Sequence, residues 1–378
     1  MTRVLLLGAG KIGTAIATYL VGTGDYDVTV GDVNEKALAR IEEKTGASVR
    51  KLDVTDFDQL LDALSGRDLV ISALSYMFNP KVAEAALKAG ASYFDLTEDV
   101  ETTRRVKEVS EQAKEGQIFM PQCGLAPGFV GIVAHDLAQR LDTIDSVQMR
   151  VGALPMYPTN MLKYNLTWST DGLINEYCNP CEAIHRGKKI EALALEGLEH
   201  FSVDGVRYEA FNTSGGLGTL CETLEGKVQT LNYKTVRYLG HCELADFLIN
   251  ELRMNTKRDV LKSILEDAVP MTTQDVVIVF CTATGMIDGR YTQVTDARKI
   301  YHGEVEGEHW SAIQITTAAG ICAVVDLHAT GKLPSKGFVS QERVSLNDFI
   351  ANRFGQYYDF VGHPTVKVKH VEAVIEND

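Results

Sequence analysis

Residues 4–13 read VLLLGAGKIG. The four consecutive apolar residues 4–7 suit a strand buried on both faces, and Gly8-x-Gly10-x-x-Gly13 follows at once. Gly8 permits a tight turn, Gly10 lets backbone approach a pyrophosphate, and Gly13 lets a helix pack on the strand with its N-terminus toward the phosphates. Ile12, Ala15, Ile16 and Leu20 continue at helical spacing. A bare motif of this kind is weak, but a second apolar strand at 28–30 ends in Gly31-Asp32, about 20 residues on, where such folds place a ribose-binding acid. The expected phosphate cradle is Gly8, Gly10, Lys11, Ile12 and Gly13, with Asp32 accepting from the adenosine ribose hydroxyls. An acid there repels a 2′-phosphate, and no arginine follows in Val33-Asn34-Glu35, so the expected cofactor is NAD. The alternative is that Asp32 only shapes the turn or caps the next helix.

The alternation continues outward from that start. Residues 48–52, 68–73, 92–96 and 117–120 read as strands, and 57–64, 80–89 and 101–114 as helices, with Asn79 before Pro80 as an N-cap. This is the pattern of a Rossmann-type doubly wound parallel sheet, an α/β fold. Asp53 and Val54 after the third strand fall where adenine is expected. Ala73, Leu74 and Tyr76 after the fourth flank the nicotinamide end.

Beyond residue 128 the character changes. Segments 147–151, 163–169, 203–211, 276–284 and 310–317 read as strands of longer, mixed connectivity, and 317–330 as a buried helix ended by Gly331. The expected organisation is a dinucleotide-binding domain over 1–125, with a returning segment near 317–350. A second α+β domain with a mixed sheet, over 126–316, serves substrate binding and dimerisation.

Length agrees with two domains, because the chain has 378 residues and single cores seldom grow past roughly 250–300. A net charge of -14 without a basic run argues against nucleic acid and anionic membranes. No stretch approaches the roughly 18–20 unbroken apolar residues of a membrane span, and the N-terminus lacks a signal-peptide pattern, so a cytoplasmic protein is expected. Seven scattered cysteines read as reduced thiols. Cys178-Asn-Pro-Cys181 with His185 imitates half a metal site, but the second half is missing and no metal is expected.

Other polar stretches carry candidate chemistry. Lys163 and Tyr164 in LKYNLTWS (162–169) alternate like a half-buried strand but also suit a cleft. Thr213 and Ser214 in NTSGGL (212–217) offer hydroxyls and amides in a glycine-rich turn, a potential carboxylate cradle. TVRYLGH (235–241) places Arg237, Tyr238 and His241 together. PQCGLAPGFVG (121–131) holds a lone thiol, Cys123, and no charge.

The ordered motifs GAGKIG, GDVN, LDVTD, GLAPG, VGALP, KYNLTWS, TVRYLGH and GKLPSKGFV resemble the saccharopine dehydrogenase family, and more closely its lysine 6-dehydrogenase branch. The resemblance covers nearly the whole chain. It implies oxidation of a carbon–nitrogen bond of an amino acid with hydride transfer to a nicotinamide, in a homodimer or higher homo-oligomer. The glutamate-forming enzymes show an acid in GLDPG and a Cys before GGLP. Here Ala126 and Val151 stand in those places, which tilts the implied substrate toward the ε-amine of L-lysine, with saccharopine, or a non-catalytic NAD sensor, as alternatives. Loss of hydride needs a deprotonated amine, so a base of near-neutral pKa is expected. His241 is the first candidate and Asp95 the second, with Glu98 or Asp99 activating the water that hydrolyses the imine. Arg237 is expected to hold the substrate carboxylate, with Lys163, Tyr164, Thr213, Ser214 and Cys123 lining the site.

Overall fold

In the computed structural model, of which residues 1–359 and 367–375 are described, the opening motif is a strand entering a turn. Thr2–Leu7 (β1) leads to Lys11–Gly22 (α1), and the alternation runs through Tyr26–Asp32 (β2), Glu35–Thr45 (α2), Ser48–Lys51 (β3), Phe57–Leu64 (α3), Leu69–Ser72 (β4), Asn79–Ala89 (α4), Ser92–Asp95 (β5), Val100–Ser110 (α5) and Ile118–Met120 (β6). The strands pair in parallel in the order β6-β5-β4-β1-β2-β3, the doubly wound sheet expected. Local signals set the helix starts. Asn34 Oδ1 accepts from the amides of Lys36 and Ala37 at the head of α2, and Asp56 does the same for Asp58 and Gln59 at α3, caps worth about 1 kcal/mol each. Asn79 is a correction: it is already inside α4, buried, and its side-chain oxygen accepts from Ser72 Oγ at 2.7 Å.

The chain continues through Phe129–Gln139 (α6), Thr143–Pro155 (β7), Thr170–Cys178 (α7), Cys181–His185 (β8), Lys188–Ala192 (β9), Glu199–Val203 (β10), Val206–Asn212 (β11), Leu220–Leu224 (α8), Thr230–Tyr238 (β12), His241–Asp246 (α9), Arg258–Ala268 (α10), Asp275–Ile287 (β13), Arg290–Tyr301 (β14), Gly303–Val305 (β15) and Glu308–Trp310 (β16). Most of these strands form a mixed sheet, ordered β14-β13-β7-β12-β11-β10, in which β7 and β12 run parallel and the other neighbours antiparallel. The sheet curls. Phe201 of β10 and Phe280 of β13 are four strands apart in that order, yet their ring centroids are 5.4 Å apart, against the roughly 4.8 Å that separates adjacent strands. Phe201, Tyr208, Val236, Ile278 and Phe280 fill the inside of the curl. Phe211 shares the other core with Leu173, Ile174 and Tyr177 of α7, Ala245 of α9 and Leu261 of α10.

Three expected strands are corrected. Residues 203–211 are a hairpin, because Asp204 and Gly205 both take positive φ, 53° and 74°, the geometry of a two-residue primed turn. Residues 163–169 form no strand: Lys163 has φ 50°, Leu166 makes an isolated bridge to Met271, and Ser169 caps α7. Residues 310–317 are mostly helical. Asp275 accepts from the amides of Ala312 and Ile313, so the helix-starting carboxylate comes from a distant strand and leaves no local trace in sequence.

That helix, Ala312–Ala329 (α11), is followed by Gly337–Phe338 (β17), which extends the first sheet by pairing in parallel with β6, and by Leu346–Ala351 (α12). By length and composition α11 is apolar enough to cross a bilayer, but it is mostly buried inside the protein. Asp326 on α11 accepts from Tyr26, Asn352 and Arg353, fastening the returning segment to β2. Val368–His370 (β18) pairs with β14 and Ala373–Ile375 (β19) with β10; with β8 paired to β12 and β9 to β8, the second sheet has ten strands. The two compact units are 1–129 with 314–356, and 130–313 with 357–378.

Candidate functional site

In the first unit the glycine turn is sterically obligatory. Gly8 has φ 105°, and a Cβ there would meet the carbonyl of Ala73 at 2.9 Å; a Cβ on Gly13 would collide with the carbonyl of Gly8. Gly10 is exposed with open space where a side chain would stand, so this backbone can accept a phosphate at the head of α1. Lys11 and Ile12 are the first residues of that helix. Asp32 Oδ2 accepts from the amide of Ala9 at 2.7 Å and Oδ1 from that of Asn34 at 2.8 Å. The acid therefore braces the glycine turn, and a carboxylate keeps lone pairs for ribose hydroxyls beyond those two bonds. Lys51, opposite Asp32 on β3, is paired with Glu35 at 2.8 Å.

Asp53 accepts from the amide and hydroxyl of Thr55, which holds its carboxyl below the usual range. Val54 and Leu74 are partly buried against the core of this unit. Ala73 and Tyr76 are half-buried after β4. The residues fit a dinucleotide.

Asp95 ends β5 completely buried. It accepts from Tyr93 Oη at 2.6 Å and from the amides of Thr97 and Gln122 at 2.9 and 3.0 Å. Desolvation still pushes its pKa up to about 6. The bond from Gln122, which takes φ 64°, and that from Cys123 N to the carbonyl of Asp95 tie the loop after β6 to the end of β5. Asp99 is likewise committed, as the cap of α5. Glu98 differs: it is half-buried, desolvation and the neighbouring Asp99 and Asp95 raise its pKa, and the hydrogen bond opposing that rise comes from its own amide. Cys123 is a buried thiol pushed up by desolvation, donating to the carbonyl of Met120, an inert filler.

The second unit builds a different cluster. Arg237 on β12 is 2% exposed. Its Nε donates to Tyr177 Oη at 2.8 Å and its Nη1 to the carbonyl of Val236 at 2.8 Å, with the guanidinium carbon 4.8 Å from the Tyr164 ring centroid. Among the described residues no carboxylate comes within ion-pair distance, and Nη2 has no hydrogen-bond partner. Nearby in sequence to Tyr164, three buried oxygens also have none: Tyr164 Oη, Asn165 Oδ1 and Thr167 Oγ1. Unpartnered buried polar atoms cost about 1–3 kcal/mol each, so such a group marks a place where a ligand or water completes the bonding.

His241, first residue of α9, has Nδ1 2.7 Å from the carbonyl of Leu162 and Nε2 2.9 Å from Tyr177 Oη. A carbonyl only accepts, so Nδ1 carries the proton and Nε2 accepts from the Tyr177 hydroxyl. Burial, then the charge of Arg237, lowers its pKa from 6.5 to about 3. The expectation of a near-neutral base at His241 is thereby corrected: the ring is neutral and both nitrogens are engaged.

Two more expectations change. The hydroxyls expected to serve a carboxylate cradle at 212–217 are engaged: Thr213 Oγ1 pairs with Thr235 Oγ1 at 2.7 Å, Ser214 Oγ donates to the carbonyl of Asn175, and Ser214 N donates to that of Glu176. Lys163 Nζ is held by the carbonyl of Leu239 at 2.8 Å. Sequence reading missed Tyr177 and the buried Glu176. Both lie on α7, whose motif-free sequence carries no signal of a site, whereas Asn165 and Thr167 sat inside a stretch already singled out. Among the described residues no group of three His, Cys, Asp or Glu side chains could hold a metal.

Two family profiles match in tandem: residues 4–120 to the "Saccharopine dehydrogenase NADP binding domain" and residues 124–356 to the "Saccharopine dehydrogenase C-terminal domain". The chain belongs to the saccharopine dehydrogenase family. Its first unit is thus a pyridine-nucleotide-binding domain of that family. Relatives in the family include the mitochondrial alpha-aminoadipic semialdehyde synthase of Bos taurus, 24% identical over 73% of this chain and 31% of the relative. The saccharopine dehydrogenase [NADP(+), L-glutamate-forming] of Saccharomyces cerevisiae is 28% identical over 66% of this chain and 57% of its own. The match therefore spans less than two thirds of these curated proteins. Among solved structures, the apo histidine-tagged saccharopine dehydrogenase (L-Glu forming) from Saccharomyces cerevisiae superposes with TM-score 0.74 at 17% identity, over 100% of both chains, showing the same fold.

Proposed function

We propose that this chain is an NAD-dependent dehydrogenase that oxidises a carbon–nitrogen bond of an amino acid, with the ε-amine of L-lysine as substrate and the semialdehyde and ammonia as products. The observation that carries the reading is Arg237: a buried cation with no carboxylate at ion-pair distance among the described residues, one edge of its fork unspent. Guanidinium recognises carboxylate by paired charge-assisted bonds, so Arg237 holds the α-carboxylate. One such cation suits a substrate with one carboxylate at that end, in keeping with Ala126 and Val151 where the glutamate-forming enzymes carry an acid and a thiol.

The glycine turn and Asp32 would hold the dinucleotide, which when bound supplies the hydride acceptor. NAD rather than NADP follows from Asp32, although the matching profile is named for NADP. The substrate ammonium must give up a proton before its carbon can lose hydride. His241 does not suit that role, because both of its ring nitrogens are already engaged, so the base is another group. The base passes that first proton to solvent; once hydride has left, it takes a proton from the water that attacks the iminium carbon and returns it to the carbinolamine nitrogen, the carbon–nitrogen bond breaks to release ammonia, and the hydroxyl loses its proton to leave the aldehyde. Asp95 and Cys123 shape the loop and take no proton.

Saccharopine oxidation is the second reading, favoured by the names of the relatives. Purified protein with NAD or NADP, and with lysine or saccharopine separately, followed at the reduced-nicotinamide absorbance band, decides between them. Reduction with lysine and NAD supports the proposal; reduction with saccharopine alone replaces it by the second reading. Cofactor binding without turnover of either leaves a nucleotide-binding protein.

A further inference from the structure

We infer that Glu209 is a positioning residue that acts through His241 and Tyr177 to aim the free edge of Arg237, an inference that rests on Arg237 being the carboxylate holder. Glu209 on β11 stands directly opposite Arg237 on β12 in the antiparallel register and is 2% exposed. Side chains so placed are about 5 Å apart at Cβ, so a salt bridge is the obvious arrangement. It does not form. Glu209 Oε2 instead accepts from the amide of Gly240 at 2.7 Å and Oε1 from that of Cys242 at 2.6 Å.

The two amides flank one residue, His241. Gly240 sits in the left-handed region at φ 90° and turns the chain from β12 into α9. By gripping the backbone on both sides, Glu209 settles where the imidazole points. Nδ1 then donates to the carbonyl of Leu162 and Nε2 must accept, so the Tyr177 hydroxyl spends its proton on His241 and can only accept from Arg237 Nε. That bond, with Nη1 on the carbonyl of Val236, leaves Nη2 as the open edge. A buried carboxylate without a cation is costly unless fully hydrogen-bonded. Glu209 meets that demand with backbone amides and so leaves the charge of Arg237 for a ligand.

The test compares Glu209→Gln, His241→Gln and the double variant, with folding checked by circular dichroism. In the glutamine variant of Glu209 an NH₂ group faces an amide N–H, so one grip is lost. The Michaelis constant for the amino acid should rise about tenfold, that for NAD should stay within about twofold, and the double variant should be no worse than the poorer single one, because the two residues act in series. Additive effects, or equal effects on both Michaelis constants, overturn the inference. A second readout is independent of turnover: ¹⁵N NMR of the His241 ring should show one Nδ1–H tautomer in the wild-type protein and a mixture in Glu209→Gln. A ring unchanged by the substitution overturns the inference even if the substrate assignment holds; a lost tautomer in a protein that oxidises no amine leaves the relay standing and removes only the substrate. If Glu209→Gln does not fold, Glu209→Asp, which keeps the charge but reaches one amide, takes its place with the same expectations.

Discussion

Tyr177 Oη lies 2.9 Å from His241 Nε2, and the proton between them belongs to the tyrosine. The other imidazole nitrogen donates to a carbonyl, so the pair has one arrangement of hydrogens rather than two. Burial raises the tyrosine pKa and lowers that of the histidine, so both stay neutral across the physiological range.

Removing the hydroxyl tests that arrangement. Tyr177→Phe strands Arg237 Nε and His241 Nε2, and should lower stability by about 1–3 kcal/mol. It should also raise the Michaelis constant for the amino acid while leaving that for NAD unchanged. Urea unfolding and steady-state kinetics measure the two effects, and loss of stability without any kinetic change would detach the pair from the substrate.

Arg237→Lys keeps the charge but has no fork, losing the bond to Tyr177 and the open Nη2. The Michaelis constant for the amino acid should rise about 10- to 100-fold, the equivalent of one charge-assisted hydrogen bond. Equal rises for amino acid and NAD would place Arg237 outside substrate recognition.

For the cofactor, the combined change Asp32→Ala and Val33→Arg removes the acid and adds a cation at an exposed position. The ratio of kcat/KM for NAD to that for NADP should fall by at least tenfold. The Ala9 amide also loses its acceptor, so some loss of activity with both cofactors accompanies the shift. An unchanged ratio shows that Asp32 does not face the ribose.

His241 makes stability depend on pH with a definite sign. Its folded pKa is about 3 against 6.5 unperturbed, so the unfolded chain binds the extra proton and stability is lost as pH falls below 6.5. Between pH 7 and 4.5 that amounts to about 3 kcal/mol. Asp95 and Asp275, raised from 3.8 to about 6, act oppositely, losing stability as pH rises through the same window. The net wild-type slope is therefore shallow. His241→Gln should remove the acid-side loss and tilt the curve toward greater stability at pH 4.5, as measured by urea midpoints; an unchanged slope would show that the imidazole already titrates in the folded protein.

The first sheet was readable because its signals are local. The apolar run 4–7, the glycines at 8, 10 and 13, and the caps Asn34 and Asp56 act within a few residues, and periodicity of strand and helix covers the rest. The second unit was read only as to class. Its hairpin at Asp204-Gly205 needed the turn geometry, and its helix at Ala312 needed the carboxylate of Asp275, 37 positions away. Candidate residues show the same divide. Arg237 and His241 were visible as residue types at suggestive positions, but a sequence cannot show that His241 is desolvated or that Lys163, Thr213 and Ser214 are occupied by backbone carbonyls and a neighbouring hydroxyl.

Residue order alone was enough for the dinucleotide turn, because its glycines stand at fixed spacing beside an apolar strand and the clash that demands Gly13 comes from Gly8, five positions away, although the close approach at Gly8 is to Ala73 of a different strand end. Which ionisable groups remain available for chemistry depended on the folded chain. Hydrogen-bond partners and burial set a side chain's free lone pairs and its pKa, and both come from strands and helices far apart in sequence. Ala126, in the stretch PQCGLAPGFVG, lacks a carboxylate by sequence; that both ring nitrogens of His241 are engaged emerged only from tertiary contacts.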